Sequence, residues 1–110
     1  GVVQAAPEHW KRVQEGMRKG VTHPLGTAHT PFLGFPVPVA AKTGSAETGL
    51  GYANALTVAY APYDDPQIAV AVIVEGGAHG SWVSPAARAV FAHYFGIQEK
   101  KGDQKLEKAD

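Results

Sequence analysis

The sequence predicts an α+β fold, a three-stranded antiparallel sheet with one helix before it and one after it. Three observations lead there. Apolar residues recur at helical spacing near each end of the chain, and three short strand-like runs lie between them. Brief, turn-rich connections separate the runs, which favours antiparallel neighbours. At 110 residues with 45% hydrophobic content, the chain is sized for one domain, or part of one, with a single layered core.

The first helix is expected over residues 7–19. Pro7 suits its first position, and Trp10, Val13 and Met17 fall on one stripe. Glu8 with Arg12 and Glu15 with Lys19 stand four apart in the favourable order, while Arg18 and Lys19 oppose the negative helix end. Gly20 reads as the stop. Gly16 weakens the helix by about 1 kcal/mol relative to Ala, so a tertiary partner must hold it. Residues 21–38 carry Pro24, Pro31, Pro36, Pro38, Gly26 and Gly34 and are expected to be irregular.

Strands are expected over 39–47, 52–60 and 67–74. In the second, Leu56, Val58 and Tyr60 alternate with Ala55, Thr57 and Ala59. Pro62, Asp64, Asp65 and Pro66 make the next connection a turn. The third run is apolar on both faces, which predicts a central strand covered on both sides. Ser84 and Pro85 then read as an N-cap followed by a first-turn proline. Val90, Phe91, Tyr94 and Phe95 supply the buried stripe of the second helix, with Phe91 and Phe95 against the third strand, and Gly96 ends it. Ala86, Ala87 and Ala89 let that helix lie close to a sheet, and Trp82 is expected to pack it down. Residues 98–110 hold eight charged residues in thirteen and predict a solvated, mobile tail, leaving 1–97 as the folded part.

Composition excludes several functions. Ten Lys plus Arg balance ten Asp plus Glu, so no concentrated basic surface for nucleic acid is expected. There is no cysteine for a disulfide framework or a zinc ribbon. His9, His23, His29, His79 and His93 show no ligand spacing, so neither metal nor cofactor is expected. The histidines, with Trp10, Glu75, Asp64 and Asp65, read first as surface or packing residues, although His23 and His29 precede the first strand. No apolar run approaches the ~18 residues of a membrane span, and the first residues do not read as a signal peptide.

One segment stands out, Val39-Ala40-Ala41-Lys42-Thr43-Gly44-Ser45-Ala46-Glu47. On a strand, Thr43 and Ser45 share a face while Lys42 points to the other. Two neighbouring hydroxyls beside an open backbone edge suit an extended peptide or a carboxylate. Gly44 between them permits close approach. On composition alone, a small-residue edge strand ending in a solvated lysine is the favoured reading of the same residues.

Lys42-Thr43-Gly44-Ser45 resembles the third signature of penicillin-binding proteins and serine β-lactamases. Its surroundings are similar to class B, elongation-type penicillin-binding proteins. The run from Glu15 to Val21 resembles the helix before a Gly-Thr-Ala turn, here Gly26-Thr27-Ala28. Ala46-Glu47 fits this class better than β-lactamases, and Ser84-Pro85-Ala86-Ala87 resembles the start of its C-terminal helix. The resemblance implies the C-terminal part of a transpeptidase domain with a penicillin-binding, serine β-lactamase-like fold. It implies a peptidoglycan D,D-transpeptidase that acts on D-alanyl-D-alanine stem peptides and is acylated by β-lactams.

The other two signatures of that family, Ser-x-x-Lys and Ser-x-Asn, begin at none of the three serines, Ser45, Ser81 and Ser84. The nucleophile is therefore expected upstream, in another part of the same polypeptide, and the isolated chain is expected to be inactive. By resemblance, Lys42 tunes proton transfer, Thr43 and Ser45 bind the substrate carboxylate, the Ser45 N–H is an oxyanion donor, and Gly44 lets the acyl chain lie close. Ser45 stands where Thr is commoner. The resemblance also implies cell-wall elongation proteins as partners and a place on the extracytoplasmic face of the bacterial membrane, anchored by an upstream segment. A penicillin-recognising sensor and a non-catalytic interaction module of the same fold are the alternatives.

Overall fold

The computed structural model describes residues 1–99. Along the chain run α1 (Pro7–Thr22), β1 (Ala40–Glu47), β2 (Ala53–Ala61), β3 (Ile68–Val74) and α2 (Gly80–Tyr94). The strands form one antiparallel sheet in the order β1-β2-β3. The expected α+β layering is what the chain adopts.

Pro7 opens α1, and the helix runs through Gly20 to Thr22 instead of stopping. Gly20 serves a close approach rather than a cap: a Cβ there would lie 3.0 Å from Ala41 O of β1. The His23 N–H closes the helix on Lys19 O, and Thr22 Oγ1 donates back to Arg18 O at 3.2 Å. Neither Glu8–Arg12 nor Glu15–Lys19 closes an ion pair. Among the described residues the ion pair is Arg88–Glu99 at 2.7 Å. Trp10 and Val13 are 40% and 53% exposed while Met17 is half-buried, so the described residues cover only the C-terminal end of the expected stripe of α1.

The core lies between the sheet and α2. Ala55, Thr57, Ala59 and Ala61 of β2 are buried under the helix, and Ala87 and Phe91 meet them from above. The periodicity of α2 is Gly80, Ser84, Ala87 and Phe91, one contact per turn. Alanines on both surfaces let helix and sheet approach closely. Phe91 fills the space beyond them with Phe32 at 6.2 Å between rings, and Ile68, Val70, Val72 and Phe95 pack around this cluster.

The segment from 23 to 39 joins no ladder; local backbone N–H groups satisfy the His23, Gly26, Ala28, Thr30 and Phe32 carbonyls, and two arginines serve three others. Arg88 donates to Pro31 O and Leu33 O at 3.1 and 2.8 Å, and Arg18 donates to Val39 O at 2.7 Å. Arg88 also grips Glu99, one of the first residues of the expected charged tail. The remainder of that tail, from 100 onward, lies outside the described residues.

Three expectations are corrected. The central strand is β2, not the 67–74 run, because β2 is joined by short connections to both neighbours and pairs with each. Residues on β3 alternate between half-buried and exposed, so only one of its faces is covered. Next, α2 begins at Gly80, four residues before the Ser84–Pro85 pair. Ser84 is fully buried and bonds inward rather than capping, and Pro85 sits inside the helix. Its missing N–H leaves one backbone bond of the second turn unmade. Last, Trp82 is 67% exposed and meets the edge of His79 instead of the sheet, while Val90 and Tyr94 flank the buried stripe rather than form it.

Candidate active site

The expected site strand is β1, an edge of the sheet. Thr43 faces Thr57 across the ladder and Ser45 faces Ala55, so both hydroxyls stand on the side occupied by α2. Lys42 faces Val58 on the opposite side. The alternation read from the sequence is present.

Backbone direction follows from Gly44. Its amide N and carbonyl O lie near the same point as Leu56 O, on the β2 side of the strand. Backbone polar groups alternate along a strand, so those of Thr43 and Ser45 face the open edge. The Lys42 ammonium is exposed and curls onto that edge, donating to Thr43 O at 2.6 Å. The Ser45 side chain is exposed. Thr43 is half-buried, with its Oγ1 2.6 Å from Thr27 Oγ1.

Behind this edge is a rigid support. Gly80, the first residue of α2, rests directly on the Gly44–Leu56 rung of the ladder. Its carbonyl accepts from Thr57 Oγ1 at 2.8 Å and lies 3.1 Å from Ser84 Oγ, and the two hydroxyls are 2.8 Å apart. Each hydroxyl has one proton, so with Thr57 donating to the carbonyl, the Ser84 proton goes either to that carbonyl or to Thr57 Oγ1. The triangle is fully buried and ties the start of α2 to the middle of β2.

The serines are thus apart in role as well as in place: Ser45 on the open edge, Ser81 in the first turn of α2, Ser84 in the buried triangle. His29 Nδ1 donates to Val21 O at 2.8 Å, and His23 Nδ1 accepts from the Leu25 N–H at 3.0 Å, so both serve the loop before β1. Among the described residues no cluster of His, Asp or Glu could hold a metal. A crevice of about 340 Å³ lined by Arg18, His29, Phe32 and Pro38 lies beneath that loop, not beside Thr43 and Ser45. The hydroxyl edge is one open wall. Sequence reasoning missed Thr27 and Gly80 as parts of it. Gly26-Thr27-Ala28 was legible only as a turn, and the glycine-rich stretch before α2 only as a loop.

On the far side of the sheet, Tyr60 carries a buried hydroxyl without a hydrogen-bond partner among the described residues. Burial, and secondarily Tyr63 beside it, push its pKa above the ordinary 10.0. Its ring stacks on Tyr63 at 6.4 Å.

Comparison with known proteins places this geometry. Residues 2–95 match the penicillin binding protein transpeptidase domain. Over 100 residues the chain is 34% identical to peptidoglycan D,D-transpeptidase MrdA of Escherichia coli K12, covering 77% of this chain and 16% of that protein. Pseudomonas aeruginosa PBP2, solved in complex with WCK 5153, superposes with a TM-score of 0.75 at 37% identity, covering 84% of this chain and 21% of that one. PBP2 of Helicobacter pylori, solved in complex with MreC, gives 0.71 at 26% identity, covering 81% and 17%. The chain thus spans about a sixth to a fifth of these relatives. No helix of the described residues is long and apolar enough to cross a membrane. With 2–95 matched and the hydroxyl-bearing edge strand in place, the chain belongs to the penicillin-binding protein transpeptidase family.

Proposed function

We propose that this chain is the C-terminal part of the transpeptidase domain of an elongation-type peptidoglycan D,D-transpeptidase, and that β1 is one wall of its active site. The observation that carries the reading is the open edge of β1. It offers the hydroxyls of Thr43 and Ser45 on one face, an outward Ser45 N–H, and the Lys42 ammonium at the same edge.

In this reading a stem peptide ending in D-alanyl-D-alanine lies along β1 as an added strand. Thr43 and Ser45 hold its terminal carboxylate, and Gly44 leaves room for the acyl chain. The Ser45 N–H donates to the oxyanion of the tetrahedral intermediate, where fixed backbone donors act strongly. Lys42 supplies positive charge to the cleft and aids proton transfer at the nucleophile. That nucleophile is a serine supplied by another part of the polypeptide. It attacks the penultimate D-alanine carbonyl and releases the last D-alanine. The acyl group then passes to the amine of a neighbouring stem. A β-lactam enters as the stem-peptide mimic and remains as the acyl-enzyme. No cofactor is needed.

The same reading puts the protein on the extracytoplasmic face of the membrane, held by an anchor outside this chain, with cell-wall elongation proteins as partners. The relative solved with MreC supports that partnership as an expectation. Intact-mass spectrometry after incubation with penicillin tests the whole reading. The longer protein should gain one adduct and the 110-residue chain none. A stoichiometric adduct on Ser45, Ser81 or Ser84 of the isolated chain would refute it.

A further inference from the structure

We propose that Thr27 is a positioning residue for the carboxylate-binding hydroxyl of Thr43, an inference that rests on the reading of β1 as the carboxylate wall. The two Oγ1 atoms are 2.6 Å apart across sixteen residues of sequence. Among the described residues this is the one side chain to side chain hydrogen bond that β1 makes.

The turn that carries Thr27 is built to hold it there. Gly26 is pressed onto the end of α1, where a Cβ would lie 2.7 Å from Gly20 C and 2.9 Å from Lys19 O. The Gly26 amide donates to His23 O at 2.8 Å and the Ala28 amide to Gly20 O at 3.1 Å. Ala28 is 1% exposed. Gly20 in turn abuts Ala41 O of β1, two residues before Thr43. Backbone contacts therefore run without a gap from Thr27 through α1 to the strand it serves. Thr27 itself is exposed, so nothing in the core explains its hydroxyl.

Each hydroxyl has one proton to give. If Thr43 donated to Thr27, it would turn only lone pairs toward an incoming carboxylate. If Thr27 donates, the Thr43 proton is free for the carboxylate, and the bond from Thr27 polarises it. A carboxylate only accepts, so its arrival selects the second arrangement. Thr27 acts through Thr43 and does not touch the substrate.

The test measures second-order acylation by a carboxylate-bearing penicillin in the longer protein that contains this chain. Thr27→Val should slow acylation about threefold to tenfold, the scale of one neutral hydrogen bond, at unchanged melting temperature. Thr27→Ser should restore the rate to within about twofold, because it keeps the hydroxyl. In a Thr43→Val background, Thr27→Val should change nothing further. Independent losses in the double variant, or a Thr27→Ser variant as slow as Thr27→Val, would overturn the inference. If Thr43→Val slows acylation but Thr27→Val does not, Thr27 alone is misassigned. If Thr43→Val leaves acylation intact, the wall reading fails and takes this one with it.

Discussion

Gly80 of α2 stands so close to Gly44 of β1 that a Cβ on Gly80 would lie 2.7 Å from both the amide N and the carbonyl O of Gly44, and closer still to Leu56 O. Nothing flexible could yield, since all three atoms are backbone. The start of the helix is therefore in register with the strand that bears Thr43 and Ser45. Gly80→Ala should push the two apart and cost about 1–3 kcal/mol or more. Gly16 of α1 is the control, because a Cβ there meets nothing within 4 Å. Gly16→Ala should stabilise the chain by about 0.5–1 kcal/mol through helix propensity. Urea melts of the two variants should move in opposite directions. A harmless Gly80→Ala would mean that the helix start is not held against β1.

Phe91 is fully buried at the junction of α2, Phe32 and the apolar side chains of β3. Phe91→Ala leaves a cavity that the neighbouring alanines cannot fill, and should cost about 3–5 kcal/mol. That is a large part of a total of about 5–15 kcal/mol for a domain of this kind. A soluble variant with a near-normal urea midpoint would place α2 at the periphery and contradict the layering.

Tyr60 gives a pH signature. Its pKa is raised in the folded chain by burial, with Tyr63 adding to the shift, so the neutral phenol is the folded form. Well below the unfolded value of about 10 the group adds no pH dependence. Above it the unfolded chain releases the proton first, and stability falls with rising pH until the folded pKa is passed. Tyr60→Phe should remove that part of the alkaline loss and leave stability at neutral pH no lower. Identical alkaline slopes for the two proteins, in melts from pH 9 to 11, would show that the hydroxyl is not buried.

The legible parts of the structure were those decided locally. All three strands lie within a residue of the expected positions, because β-prone runs are bounded by Gly, Pro and Asp. Tertiary contact decided the rest. Ser84 looks like a cap in sequence, but its hydroxyl is spent on Thr57 and Gly80 O, partners that no local pattern reveals. The apolar run of β3 reports side chains on two faces but not which edge is paired. In the site, Lys42, Thr43 and Ser45 alternate as strand geometry requires, whereas Thr27 reaches Thr43 only through the packing of α1 on β1.

The central claim is that β1 lines the acylation site, and Lys42→Ala in the longer protein tests it most directly. The Lys42 side chain is exposed and bonds only to the carbonyl next to it, so its loss leaves the strand ladder intact. The rate of acylation by penicillin should fall on the order of a hundredfold, the scale of losing one electrostatic or proton-transfer partner, with the melting temperature unchanged. An unchanged acylation rate at an unchanged melting temperature would contradict the assignment of β1 to the active site.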